Sequence, residues 1–376
     1  MAKKILLIQN SPAYKMGGTQ TYNNHLIEIL KKHYPNVLID QVVLYNANKK
    51  FMNEFNTFAV NDNFVDQPSN NPIYLLKHAI HLIKFRRLVY SLNKENNYDL
   101  IIDSTYTTFK HFFEKNNYFW IQHNDFKFYS LELIHNKFWR FLKKILFHLI
   151  GIKNNLMYVK NIVLFDYCNY DKVKSIRMAT FNPYIIELSN NVPFNLKNDL
   201  IRDIKNRNRI IYFGRINNEQ KNINLLNQIN HYLKLIDFYG NGNENLIKEL
   251  GESYKGYIDS GNKLKDLFAK YKYMILMSNY EGFPYSLVQS LCYGLPIIVL
   301  NTFLSANFLV NDNKNGFLLK PNQSVAQYVT QIKDFYNIEN EKYMQLSLNA
   351  YKFAQENLSN KQFEEKWLKI FNQYLK

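Results

Sequence analysis

The sequence predicts an α/β protein made of two doubly wound halves, each a parallel sheet covered on both faces by helices. Three observations carry this. Short apolar runs recur between polar boundaries, the pattern of strands buried on both faces. Stretches with apolar residues at helical spacing separate them, and strand–helix alternation builds a parallel sheet. The alternation runs twice, on either side of a polar, aperiodic stretch near residues 190–208, and 376 residues suit two domains.

The first strand is KKILLIQ (Lys3 to Gln9), closed by Asn-Ser-Pro. A glycine pair, Gly17 and Gly18, precedes TQTYNNHLIEILKKHYP, a helix with Tyr22, Leu26, Ile29 and Leu30 on one face. Thr19 or Thr21 caps it and Pro35 ends it. VLIDQVVLY is the second strand, and residues 46–72 are polar and irregular. A helix from about Ile73 to Asn93 leads into a third strand, DLIIDS, and YFWIQHN is a fourth. In the second half RIIYFGRI is a strand with a loop after it, and NINLLNQINHYL is a helix. KLIDFYGNGN is a strand entering a glycine turn, followed by a helix near 243–250 and a short strand, YKGYI. Then KLKDLFAKY reads as a helix, YMILMSN as a strand, YSLVQSLCYG as a helix, LPIIVLN as a strand and GFLLKP as a last short strand. The final 50 residues are helical throughout, and no internal repeat appears.

Composition excludes several classes. Hydrophobic residues are 47% and aromatics 16%, which is a folded core and not a disordered chain. Cys168 and Cys292 are too few for a disulfide framework or a four-cysteine zinc site. Both lie among apolar residues and read as buried free thiols, which fits a reducing cytoplasm. The apolar run ILLI is too short for a signal core, and no stretch reaches about 18 apolar residues without charge. The expected location is cytoplasmic, at most peripheral on the inner face of the membrane. No Asp-x-Asp or HExxH occurs, so no metal is expected.

The net charge is +16, from 47 basic and 31 acidic side chains. Such an excess admits nucleic acid, anionic lipid or phosphorylated small molecules. No helix-turn-helix, RRM or zinc-finger signature supports nucleic acid, so that partner is not expected. Residues 1–192 hold 24 basic and 14 acidic side chains, so the excess lies mainly there. Residues 136–155 carry Lys137, Arg140, Lys143, Lys144 and Lys153 with no acid, among aromatic and aliphatic side chains. Residues 77–90 are similar, with Lys77, Lys84, Arg86 and Arg87. Basic amphipathic helices suit an anionic membrane surface. An ordinary helix packing its apolar stripe on the sheet explains the pattern equally well, and the two coexist where lysines snorkel.

The most informative stretch is SNYEGFPYSLVQSLCYGLP, Ser278 to Pro296. A strand ends in a loop carrying an acid and a glycine, and a helix starts near Pro284 or Tyr285. Ligands of open parallel sheets sit at the carboxyl ends of the strands. A helix start suits phosphate. Glu281 is placed to accept hydroxyl hydrogens beside such a phosphate. Gln289, about two helical turns on, faces the same way or is an ordinary residue of the helix surface.

This stretch resembles the E-x7-E signature of the retaining glycosyltransferases of family 4. Ser278, Glu281, Gly282, Phe283, Pro284, Gly294 and Pro296 match, and Gln289 replaces the second acid. FGRINNEQKN resembles the family's G-R-x5-K-N element through Gly214, Arg215, Lys221 and Asn222. DFYGNGN resembles its G-x-G turn through Gly240 and Gly242, GGTQTYNNHL its first glycine loop through Gly17 and Gly18, and WIQHN the strand end carrying His123. The resemblance spans nearly the whole chain and is densest over 209–320. Alone, His123 reads as a packed histidine, the glycine pair as a turn and Arg215 as a solvated arginine.

The resemblance implies a GT-B architecture, two Rossmann-like domains facing across a cleft. Residues 1–192 are then the acceptor-side domain, 193–208 a linker, 209–350 the nucleotide-sugar domain, and 351–376 a helix returning to the first. It implies transfer of a hexosyl or N-acetylhexosaminyl group, with retained configuration, from a nucleotide-diphosphate sugar. The expected donor is a UDP-sugar and the expected acceptor a lipid-linked or cell-envelope glycan in bacterial polysaccharide biosynthesis. Arg215 and Lys221 stabilise the departing diphosphate. The amide of Gly18 and the helix start at Tyr285, Ser286 and Leu287 complete a phosphate cradle. Gly17, Gly214, Gly240, Phe283 and Pro284 shape the same site. Glu281 accepts from sugar hydroxyls, His123 sits over the reacting sugar, and Gln289 meets the ribose. No protein nucleophile, cofactor or metal is implied. A second reading, favoured by Gln289, is a non-catalytic partner subunit that binds an acceptor or a sister enzyme.

Overall fold

A computed structural model describes residues 2–10, 18–45, 56–60, 72–105, 112, 117–123, 141, 160–165, 184–185, 207–258 and 263–376. The chain divides into two compact units, Met1–Ile186 with Glu364–Lys376, and Glu187–Phe363.

The first unit is built on β1 (Lys4–Gln9), β2 (Leu38–Val43), β3 (Asn56–Ala59), β4 (Leu100–Asp103), β5 (Tyr118–Ile121), β6 (Asn161–Leu164) and β7 (Tyr184–Ile185). They form one sheet in the order β3-β2-β1-β4-β5-β6-β7. Every pairing is parallel, with Ile5 opposite both Ile39 and Leu100. β1 and β4 are neighbours although two strands intervene in sequence, so the winding reverses there. Leu6, Ile8, Ile101, Tyr118, Trp120 and Ile162 fill the core. β3 lies within the 46–72 stretch expected to be irregular. It is a four-residue edge strand, only partly buried, which leaves little apolar signal.

Helix α1 (Gly18–His33) follows β1, and α2 (Pro72–Asn96) precedes β4. At 100° per residue, α2 turns Leu82, Phe85, Val89 and Leu92 to one side and Ile73, Leu76, Ile80 and Ile83 to the opposite side. The first set is buried; Leu76 is 63% exposed, Ile80 45% and Ile83 46%. Packing on the sheet therefore explains only half of this helix's apolar residues. Lys77, Lys84 and Arg87 lie on or beside the exposed stripe. The 136–155 segment lies outside the described residues apart from Phe141, which is exposed.

The reversal between β1 and β4 is closed by polar side chains. Asn23 of α1 donates to Gln9 Oε1 (3.0 Å) and accepts from Ser104 Oγ (2.8 Å). Asp103 accepts from the Thr105 amide and hydroxyl and from Tyr118 Oη, at 2.6–2.8 Å. Burial nevertheless pushes its carboxyl up to about 6.

The second unit carries β8 (Ile210–Phe213), β9 (Ile236–Tyr239), β10 (Tyr254–Gly256), β11 (Tyr273–Leu276), β12 (Ile297–Leu300) and β13 (Gly316–Leu319). Their order is β10-β9-β8-β11-β12-β13, again all parallel. Helices α3 (Ile223–Leu233), α4 (Glu244–Leu250), α5 (Lys263–Phe268), α6 (Tyr285–Cys292), α7 (Leu304–Leu309), α8 (Val325–Tyr336) and α9 (Asn340–Asn357) connect and cover them. The same reversal falls between β8 and β11, which makes the carboxyl ends of those two strands the place for a ligand. Cys292 is a buried free thiol; Cys168 lies outside the described residues.

The last helix, α10 (Asn360–Leu375), carries the chain back into the first unit from Glu364. Trp367, Ile370 and Phe371 are fully buried, and Trp367 Nε1 donates to Tyr22 Oη at 3.0 Å. The return starts later than residue 351 because α9 runs to Asn357 and buries Tyr343, Leu346, Ala350 and Ala354 in the second unit. The end of the expected 193–208 linker also belongs to that unit. Arg207 is buried and donates to the Ala269 carbonyl (3.1 Å) and Tyr343 Oη (3.2 Å).

Candidate functional site

β8 is wholly apolar, and its pairing with β9 continues beyond the strand ends. Gly214 N donates to the Tyr239 carbonyl (3.0 Å) and Ile216 N to that of Asn241 (2.8 Å). This close pairing explains Gly240 and Gly242. A Cβ on Gly240 would stand 1.7 Å from the Gly214 carbonyl oxygen, and one on Gly242 would stand 2.1 Å from that of Ile216. Glycine is needed so that the two loops can touch.

The β8 loop then turns on asparagines. Asn217 Oδ1 accepts from Lys221 N (3.0 Å), and Asn218 Oδ1 accepts from Asn224 N (3.0 Å). Asn222 adopts φ 54°, a left-handed conformation that asparagine tolerates better than most residues, and starts α3 there. This turn sends Lys221 inward while Arg215 stays exposed.

The β11 loop meets this one. Asn279 N donates to the Gln220 carbonyl (2.7 Å), and Asn279 Nδ2 to the Glu219 carbonyl (2.9 Å). Glu281, 6% exposed, is gripped from three sides. Lys221 Nζ forms an ion pair with Oε1, Ser278 Oγ donates to Oε1 at 2.6 Å, and Gln220 Nε2 donates to Oε2 at 3.1 Å. Thr302 Oγ1 donates to the Ser278 carbonyl, and Ser305 Oγ to that of Gly282 (2.9 Å). Burial pushes the Tyr212 and Tyr280 phenols up; the Glu281 charge adds to this and the Arg215 charge opposes it. Arg215, Lys221 and Glu281 therefore act in one electrostatic neighbourhood.

Helix α6 starts after Pro284, with Phe283 buried beside Phe308 at 6.1 Å between rings. Tyr285 and Ser286 are half-buried at its first turn. Leu287 differs from expectation: it is fully buried, and its amide donates to the Pro284 carbonyl at 3.0 Å. Gln289 is not a surface residue. It is 7% exposed, and its side chain makes no hydrogen bond among the described residues.

In the first unit Gly18 opens α1, and Gly17 lies outside the described residues. His123 follows β5 and packs between Tyr22 and Phe165, each 5.2 Å away between ring centres. Burial pushes its imidazole down to about 3, so the ring is neutral at neutral pH. Its Nε2 is buried with no hydrogen-bond partner.

Sequence reasoning missed Gln220, Thr302 and Ser305. Gln220 could have been found from its place beside Lys221. The other two hold the Glu281 loop from more than twenty positions away and carry no local signal.

Among the described residues no group of His, Cys, Asp or Glu is placed to hold a metal ion, and no helix is long and apolar enough to cross a membrane. Residues 199–353 match the family model described as glycosyl transferases group 1. A stretch of 153 residues, 37% of this chain, is 27% identical to the GtfA subunit of the UDP-N-acetylglucosamine–peptide N-acetylglucosaminyltransferase of Streptococcus gordonii. That match spans 29% of the relative's length. Sucrose-phosphate synthase from Thermosynechococcus elongatus superposes with a TM-score of 0.72 at 15% identity, over 99% of this chain and 98% of that one. A TarM variant from S. aureus, in complex with fondaparinux, alpha-GlcNAc-glycerol and UDP, gives 0.66 at 13% identity, over 98% and 100%. The chain thus has the fold of the GT-B glycosyltransferase structures, and its residues 199–353 match the glycosyl transferases group 1 family.

Proposed function

We propose that the chain is a retaining glycosyltransferase that moves a hexosyl or N-acetylhexosaminyl group from a UDP-sugar to a lipid-linked or envelope glycan, without a metal. The observation that carries this is the Lys221–Glu281 pair at the β8/β11 reversal, with Arg215 in its field. A carboxylate there accepts from sugar hydroxyls, and two cations stabilise a diphosphate. The names of the GtfA relative and of the TarM complex both include UDP, which favours that base.

In the proposed reaction the bond from the anomeric carbon to the diphosphate oxygen breaks, and its electron pair stays on the phosphate. The acceptor oxygen bonds to the same face of that carbon, and its proton passes to the departing phosphate. Arg215 and Lys221 hold the charge that develops, and Glu281 orients the sugar. The orphaned His123 Nε2 is a buried group that a sugar hydroxyl would satisfy. The α6 start at Tyr285 and Ser286 supplies amides for phosphate.

Gln289 is assigned to the ribose, as a residue 7% exposed whose amide makes no hydrogen bond among the described residues. A carboxylate there would turn one neutral hydrogen bond to the ribose into a charge-assisted one, stronger by about 1.4 kcal/mol. Gln289→Glu should therefore bind UDP about tenfold tighter. Thermal shifts with UDP, UDP-glucose and UDP-N-acetylglucosamine test both points. Stabilisation of the wild type by a UDP-sugar is expected, and none by any of the three would overturn the reading. Binding without turnover of donor would favour the non-catalytic partner instead.

The exposed face of α2 is assigned to an anionic bilayer surface. Its stripe of Leu76, Ile80 and Ile83 is bordered by Lys77, Lys84 and Arg87, and no acid precedes Glu95 in the helix. That combination suits a helix lying in the interface and would hold the enzyme near a lipid-linked acceptor. Flotation with vesicles containing phosphatidylglycerol should recover the protein at low salt. Leu76→Ser/Ile80→Ser/Ile83→Ser should reduce that fraction several-fold without loss of folding. Equal flotation of both proteins would remove α2 from the account.

A further inference from the structure

We propose that Gln220 is a positioning residue that leaves Glu281 one acceptor direction, on Oε2, for a hydroxyl of the donor sugar. This rests on the reading of Glu281 as the group that meets that sugar.

A carboxylate offers about four acceptor directions, two on each oxygen. Oε1 has both in use, one by Ser278 Oγ at 2.6 Å and one by the Lys221 ammonium. Oε2 receives Gln220 Nε2 at 3.1 Å and nothing else among the described residues. The position of Gln220 is itself determined. Its carbonyl accepts from Asn279 N (2.7 Å), two residues before Glu281, and the neighbouring Glu219 carbonyl accepts from the Asn279 side chain (2.9 Å). Gln220 is thus tied by its backbone to the loop whose carboxylate it orients. A neutral donor suits this place. A second cation would compete with Lys221, and a second carboxylate would repel Glu281.

If Gln220 acts through Glu281, its loss affects recognition of the sugar and not of the nucleotide. Titration calorimetry with UDP, UDP-glucose and UDP-N-acetylglucosamine separates the two. Gln220→Ala should keep UDP affinity within about twofold and lose about five- to tenfold for whichever UDP-sugar the wild type binds, the value of one hydrogen bond. Gln220→Glu should lose more at pH 8 and recover towards pH 5.5, because two facing carboxylates share a proton at lower pH. Equal losses for UDP and UDP-sugar would make Gln220 a loop-folding residue only and overturn the proposal. So would unchanged binding of all three. A wild type that binds UDP-sugar no better than UDP would instead overturn the reading of Glu281, a result visible before any variant is made.

Discussion

Alanine at Glu281 should abolish sugar transfer and destabilise the second unit by about 3–5 kcal/mol. The two effects have different origins. Glu281 is 6% and Lys221 12% exposed at the side chain, so removing the carboxylate leaves an ammonium out of water with no counter-charge. Ser278 Oγ and Gln220 Nε2 lose their acceptor in the same change. The double variant Glu281→Leu/Lys221→Met removes both charges and should regain most of the stability while staying inactive. Urea midpoints for the three proteins, beside turnover of labelled UDP-sugar, read the two effects separately. Wild-type turnover in Glu281→Ala would end the assignment of this carboxylate to the donor sugar. Unchanged stability would mean that the ion pair is solvated in solution.

An equally large effect is expected where no ligand chemistry is involved. Gly240→Ala puts a carbon 1.7 Å from the Gly214 carbonyl oxygen, at φ +153°. Backbone atoms cannot yield as a flexible side chain can, so the β8 and β9 loops must separate. A loss above about 4 kcal/mol is expected, enough to leave the second unit unfolded in many conditions. Gly251→Ala is the control. It also has positive φ, at +52°, but nothing lies within 4 Å of its Cβ, and a cost of about 1–3 kcal/mol is expected from backbone strain alone. Circular-dichroism melts of the two variants should differ widely; similar melts would show that the loops give way easily.

Much of the fold was legible because its strands are buried on both faces. ILLI, LIID, YFWI, IIYF, YMIL and IIVL stand out as apolar runs, and each became a strand. What escaped lies at edges. β3 is a half-exposed edge strand, β7 has two residues, and β6 is a four-residue strand that begins with the polar Asn161. The site was legible where function demands particular residue types at short spacing, as from Ser278 to Pro284. It was not legible where polar side chains act at long range. Gln220 reaches a partner sixty-one positions away, and Thr302 and Ser305 reach back across β12. Burial was also hidden: only the fold shows that Gln289 is enclosed and that α2 has two apolar faces.

The return of α10 has a consequence for how the protein comes off the ribosome. Tyr22 and Tyr34, in and just after α1, pack against Trp367 and Phe371 of α10, and those partners are made some 340 positions later. The second unit is continuous from Glu187 to Phe363 and has all its strands before that point. Synthesis at about 5–20 residues per second usually lets the leading domain fold first. Here the leading unit waits, with its α1 surface uncovered, until the trailing one is complete.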